Sequence, residues 1–162
     1  MTISVGDKLP DAAVLVKTTD KVEAVSMADK LKGRKVVIFG LPGAFTSTCT
    51  AAHLPSFIRT KPKFDAKGVD EIICLSVNDP HVMKAWAAST GADVAGITMI
   101  ADTASAFTKA IGLEYSAPAA GFIDRSKRYA LYAEDGVVKV LNFGTETGAC
   151  EISGGETLLG MI

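Results

Sequence analysis

The run Val36-Val37-Ile38-Phe39 puts four apolar, β-favouring residues in succession between Lys35 and Gly40. Such a run, with no polar alternation, predicts a strand covered on both faces. Residues 71–77, centred on Ile72-Ile73-Cys74-Leu75, repeat the pattern and predict a second. Between them the period changes. From Ser47 onward the pattern is helical, with Leu54, Phe57 and Ile58 on one face. Pro55 and Pro62 interrupt it. Each lacks an N–H, so a kink is expected at the first and a stop or second kink at the other. Asp79-Pro80 reads as an N-cap and first helical residue, followed by Val82, Met83, Trp86 and Ala87 and ended by Gly91. Residues 98–101 predict a short strand, 104–111 a helix closed by Gly112, and 156–161 a short terminal helix. Residues 129–133 and 137–141 flank Glu134-Asp135-Gly136, a strong hairpin signal. At the start of the chain, 13–17 and 22–25 predict a strand pair. Ser26 with Asp29 resembles a capping box opening a short helix that Gly33 ends.

Strands alternate with helices first, and an antiparallel hairpin comes last. That order predicts an α/β fold: a central mixed β-sheet flanked by helices, with an N-terminal β-hairpin. A thioredoxin-like layout fits it, although pattern alone leaves other three-layer α/β folds open. A length of 162 residues predicts one domain over 1–162, and 48% hydrophobic with 22% charged residues is an ordinary globular composition. Seventeen Lys+Arg against eighteen Asp+Glu give a net charge of −1, which argues against a nucleic-acid partner. No apolar run approaches the roughly 18 residues of a membrane helix. The N-terminal residues lack a secretory pattern, so a cytoplasmic protein, or a mature organellar form, is expected.

Three cysteines, Cys49, Cys74 and Cys150, form no CxxC pair, and His53 and His81 do not complete a zinc spacing. No metal is expected, and redox or nucleophilic chemistry comes first. The informative stretch is Pro42-Gly43-Ala44-Phe45-Thr46-Ser47-Thr48-Cys49, just after a buried strand and where a helix begins. Open α/β sheets place ligand sites at such carboxyl ends. A cysteine in a first helical turn meets unpaired N–H groups and the positive dipole end, both of which favour the reactive thiolate. Thr46 precedes it by three residues, so its hydroxyl falls on the same side as the sulfur. A free cysteine is nevertheless most often a small buried hydrophobe, and position alone leaves both readings of Cys49 open.

Pro42, Thr46 and Cys49 fit the Pro-x-x-x-Thr-x-x-Cys motif of peroxiredoxins. The wider string PGAFTSTCTAAHLP resembles the type II, or peroxiredoxin-5-like, subfamily, and the resemblance continues through VDEIICLSVNDPHVMKAW and DRSKRYALYAEDGVVKVLN. It implies a thioredoxin-fold thiol peroxidase that reduces hydrogen peroxide and alkyl hydroperoxides without metal, haem or other cofactor, in antioxidant defence and redox homeostasis. It implies a homodimer served by an external thiol reductant such as glutathione, glutaredoxin or thioredoxin. Cys49 matches the peroxidatic cysteine, which becomes a sulfenic acid. Thr46 matches the residue that helps hold the peroxide, and Pro42 the proline that shields the sulfur, with Gly43 beside it. Arg125 matches the active-site arginine, a choice that the residues alone do not make over Lys127 or Arg128. Phe45 is expected to wall the pocket or the dimer interface. Two residues compete to resolve the sulfenic acid. Cys150 corresponds to the resolving cysteine of animal atypical two-cysteine members and lies in a polar loop-like segment. Cys74 stands where many plant members have their second cysteine, yet its strand reads as covered. His53, four residues after Cys49, is expected to be structural. Ser47, Asp124 and Pro62 depart from the family pattern. A redox-sensing interaction protein with little turnover, and a thioredoxin-fold binding module, are the two other functional readings.

Overall fold

The computed structural model describes residues 2–144 and 152–162. The N-terminal hairpin pairs β1 (Ala13–Lys17) with β2 (Val22–Ser26). Ser26 then caps α1 (Met27–Leu31), its hydroxyl accepting from the Asp29 N–H at 3.3 Å. β3 (Lys35–Leu41) follows, then a π-helical turn at Cys49–His53 that continues into α2 (Leu54–Ala66). β4 (Glu71–Ser76), α3 (Pro80–Thr90), α4 (Ala92–Ala95), β5 (Thr98–Ala101) and α5 (Ala106–Ala110) complete the alternating half. β6 (Glu114–Ala117) and β7 (Phe122–Ser126) form a separate two-stranded sheet. β8 (Tyr129–Glu134) and β9 (Val137–Phe143) make the late hairpin, and α6 (Gly155–Leu159) closes the chain.

The seven-stranded sheet runs β2-β1-β5-β4-β3-β8-β9. Its middle pairs, β3–β4 and β4–β5, are parallel, and the outer pairs are antiparallel. This is the mixed thioredoxin-like sheet, with helices on both faces. Strand side chains alternate between faces, and the core follows that alternation. Val37, Phe39, Ile72, Cys74 and Ala130 join one cluster with Cys49, Phe57 and Trp86. Val36, Ile38, Ile73, Leu75 and Leu131 join the other with Met27 and Phe107. An unbroken apolar run is what a strand needs when both of its faces are buried.

Several expectations shift at their edges. Pro62 does not stop α2, which continues to Ala66. The lost N–H bond and the crowding of the ring against the preceding turn are offset by packing, since Phe57 and Phe64 on either side are fully buried. Pro55 lies just past the π-helical turn in a continuous helical backbone, so its missing N–H falls where the hydrogen-bond register changes. α5 begins later than expected because the buried Asp102 carboxylate accepts from the N–H groups of Phe107 and Thr108 and from the Thr108 hydroxyl. In the late hairpin, Asp135 (φ 50°) and Gly136 (φ 76°) both adopt the left-handed conformation that a tight two-residue turn demands. No described helix is long and apolar enough to cross a membrane.

Candidate active site

The carboxyl end of β3 delivers the chain to Pro42, and the loop that follows folds back on itself. The Gly43 carbonyl accepts from the Thr46 hydroxyl at 2.7 Å and from its N–H at 3.4 Å. A Cβ at Gly43 would lie 2.6 Å from Arg125 Nη1 and 3.3 Å from Thr46 Cγ2, so a side chain there would push the tip of Arg125 from its present place. The neighbouring strand end steadies the loop, since Asn78 Oδ1 accepts from the Ala44 N–H and from the Ser76 hydroxyl. Phe45 turns outward at φ 64°, exposed, with its ring 6.4 Å from that of Trp86. It is absent from the pocket beside Cys49, so the expected pocket wall is made by other residues.

Cys49 begins the π-helical turn, whose wider i→i+5 bond joins the Leu54 N–H to the Cys49 carbonyl. π-turns inside helices recur at functional sites because they re-aim side chains. The cysteine is fully buried. Its sulfur accepts a hydrogen bond from Arg128 Nη2 at 3.4 Å. The other arm of that guanidinium, Nη1, lies 3.1 Å from His53 Nδ1, and His53 Nε2 lies 3.0 Å from the Ser153 carbonyl. A carbonyl can only accept, so Nε2 carries the ring proton and Nδ1 offers its lone pair to Arg128. Burial first, and the Arg128 charge second, lower the His53 pKa to about 3. The ring is therefore neutral at physiological pH, wedged against Phe39 and Phe57 at centroid distances of 5.2 and 5.7 Å. Trp86, fully buried, donates from Nε1 to the Thr50 hydroxyl and ties α3 to the same turn.

The arginine on the sulfur is thus Arg128, and Arg125, which the family pattern selected, is placed differently. Arg125 Nη1 donates to the Pro42 carbonyl at 3.0 Å, and its guanidinium lies 5.1 Å over the Phe122 ring. Strand alternation gives the physical reason. Arg128 has the parity of Ala130 and Tyr132, which face the Cys49 cluster, whereas Tyr129 and Leu131 face the other. Arg125 belongs to β7 in the small sheet. The signal that would have found Arg128 was its parity with the hairpin strand. Asp124 pairs with Lys109 at 2.9 Å, so its carboxylate is engaged away from the Arg125–Pro42 contact.

An open pocket of about 210 Å³ lies against this centre, lined by Pro42, Thr46, Ser47, Thr48, Tyr115, Phe122 and Arg128. Arg128 both lines it and donates to the sulfur. Ser47, exposed, sits at its mouth. Tyr115 and Phe122 come from the small sheet that the sequence pattern did not foresee. Cys74 lies in mid-β4, fully buried in the same apolar cluster as Cys49. Desolvation, with a contribution from Cys49, pushes its thiol well above the ordinary value. Both described thiols are free. Cys150 lies outside the described residues. Among the described residues, no three His, Cys, Asp or Glu side chains converge in a metal-ligating group.

The redoxin family profile matches residues 4–159. The chloroplastic peroxiredoxin-2E-2 of rice (Oryza sativa subsp. japonica) is 46% identical over 162 residues, covering 98% of this chain and 72% of that protein. The chain belongs to the redoxin family, as a type II peroxiredoxin. A second rice relative, peroxiredoxin-2C, is 44% identical and spans 97% of this chain and 96% of its own. Among solved structures, the reduced Prx3 of Vibrio vulnificus in complex with hydrogen peroxide superposes with a TM-score of 0.92 at 41% identity, covering 99% of each chain. The peroxiredoxin is accordingly a thiol peroxidase acting through a peroxidatic cysteine in antioxidant defence.

Proposed function

We propose that Cys49 is the sulfur that takes the peroxide oxygen, with Arg128, Thr46 and Pro42 as its working surroundings. The observation that carries this reading is the hydrogen bond from Arg128 Nη2 to Cys49 Sγ. A guanidinium donating to sulfur stabilises negative charge there, and thiolate is the reacting form. The Thr46 hydroxyl spends its proton on the Gly43 carbonyl. Its remaining capacity is to accept, which suits the O–H of an incoming hydroperoxide. The thiolate attacks the hydroxyl oxygen of the peroxide. An S–O bond forms, the O–O bond breaks, and the leaving alkoxide takes a proton to depart as water or an alcohol. Cys49 is left as a sulfenic acid. Ionisation alone does not explain the rate of such a reaction, because any gain in thiolate from lower basicity is offset by weaker nucleophilicity. Alignment and charge stabilisation by Arg128 and Thr46 must supply much of it. Arg125 acts from behind, holding the Pro42 carbonyl and so the wall of the pocket.

Tyr115 and Phe122 on the rim favour organic hydroperoxides beside hydrogen peroxide as substrates. A thiol then condenses with the sulfenic acid, releasing water and leaving a disulfide that an external thiol, from glutathione, glutaredoxin or thioredoxin, reduces. Cys150 is the proposed resolving residue, because the alternative, Cys74, is held inside a sheet and would have to leave it. The chain works as one domain over 1–162, paired in a homodimer, in the cytoplasm or another reducing compartment. Two free thiols support such a compartment. The test is peroxide consumption with a thiol reductant. Wild type turns over and Cys49→Ser falls to the uncatalysed background; normal turnover in Cys49→Ser rejects the reading.

A further inference from the structure

The chain segment before and within α6 is fastened along the first two turns of α2. The Gly155 N–H donates to the Ser56 hydroxyl at 2.9 Å, and that hydroxyl donates to the His53 carbonyl at 2.7 Å. Glu156 pairs with Arg59 at 2.6 Å. Gly155 sits so close to α2 that a Cβ there would lie 2.5 Å from both the Ser56 carbonyl oxygen and Thr60 Oγ1. The same strap carries the Ser153 carbonyl that receives the His53 ring proton. Ser153, His53, Arg128 and Cys49 are all buried, at 2%, 0%, 4% and 0% exposure, so water does not substitute for any missing partner cheaply. A neutral imidazole has one proton and one lone pair. When the strap fixes the proton on Nε2, the lone pair on Nδ1 is fixed toward Arg128.

We propose that Gly155 is a positioning residue of the peroxidase reaction: its missing side chain lets the strap close on α2, and the Ser153 carbonyl then sets the His53 tautomer that holds Arg128 on Cys49. This rests on the reading of Cys49 and Arg128 given above. A strap lifted from α2 frees Nδ1 to carry the proton. Arg128 then faces an N–H instead of a lone pair, and its guanidinium swings from the sulfur. The strap thereby acts on the reacting atom through two side chains, those of His53 and Arg128, without touching substrate.

A double-mutant cycle tests this with the full-length chain. His53→Asn places an amide oxygen near the Nδ1 position, which accepts from Arg128 without help from Ser153. The readout is the second-order rate constant for oxidation of Cys49 by hydrogen peroxide, measured before turnover. Gly155→Ala in the wild-type background is expected to lower it by about tenfold or more, the usual range for a group that orients a functional side chain. In the His53→Asn background the same change is expected to alter it by less than about twofold. Equal losses in both backgrounds, or no loss in either, overturn the proposal. If Gly155→Ala does not fold, Ser56→Ala, which removes the acceptor of the Gly155 N–H, takes its place in the same cycle. Cys49→Ser, run alongside, tells a failure of this inference from a failure of the site assignment, because only the latter leaves that variant oxidising and turning over.

Discussion

Cys49 and Cys74 are both fully buried, both free, and both members of one apolar cluster. Their surroundings nevertheless differ in kind. Cys74 sits in the middle of β4, between Phe39 and Met99 on the adjoining strands, and desolvation holds its proton on. Cys49 stands at the end of a strand–loop–helix turn, with an arginine donating to its sulfur and a pocket sharing that arginine. Burial alone therefore does not decide what a thiol does. What separates the two is a hydrogen-bonded cation that also lines a pocket. The two arginines make the same point. They are three residues apart, yet one lies on the sulfur and the other on a backbone carbonyl and an aromatic face.

The largest effect is expected from separating those arginines. Arg128→Met removes the donor on the sulfur and is expected to lower the rate of Cys49 oxidation by about 10²–10³-fold, the scale for one lost donor to developing charge. Arg125→Met loosens the Pro42 loop and is expected to cost about tenfold or less. Rapid-mixing kinetics with hydrogen peroxide compare the two, and a reversed order breaks the distinction drawn here.

A smaller effect concerns stability and pH. His53 has a folded pKa of about 3 against an ordinary value of 6.5. The unfolded chain therefore binds a proton between those values that the folded chain refuses. The stability is fully present above pH 6.5 and is lost as pH falls toward 3, by about 1.4 kcal/mol per unit. Between pH 7 and pH 5, wild type is expected to lose about 2 kcal/mol more than His53→Asn, which lacks the titrating group. Urea unfolding of both proteins at the two pH values measures this. Equal losses would mean that the ring is charged inside the fold.

Much of the architecture was legible because it depends on local pattern. β3 and β4 announced themselves as unbroken apolar runs, α3 by Asp79 and Pro80 at its start, and the late hairpin by Asp135-Gly136. In the structure Asp79 caps α3, accepting from the Val82 N–H at 2.9 Å. The small sheet of β6 and β7 was not legible. Its strands are short, carry Glu114, Ser116 and Asp124 among their apolar residues, and pair with a shift in register. Its value lies in presenting Tyr115 and Phe122 to the pocket and Arg125 to the Pro42 carbonyl, which is a tertiary fact. At the site, Pro42, Gly43, Thr46 and Cys49 could be read because one short loop carries them all. The choice between Arg125 and Arg128 could not be made from motif spacing, since it turns on which sheet face each occupies. Pro55 marked where the helix would be disturbed but not that a π-turn would form at Cys49, and the partnership of His53 with Ser153 joins residues far apart in the chain.

The most direct measurement is where the first oxygen lands. One equivalent of hydrogen peroxide is given to the reduced protein, the sulfenic acid is trapped with a carbon nucleophile, and the labelled peptide is found by mass spectrometry. The label is expected on Cys49 in the wild type and, much more slowly, in Arg128→Met, with Cys74 unlabelled in both. A first label on Cys74 or Cys150, or a Cys49 that oxidises at the same speed without Arg128, would contradict the account.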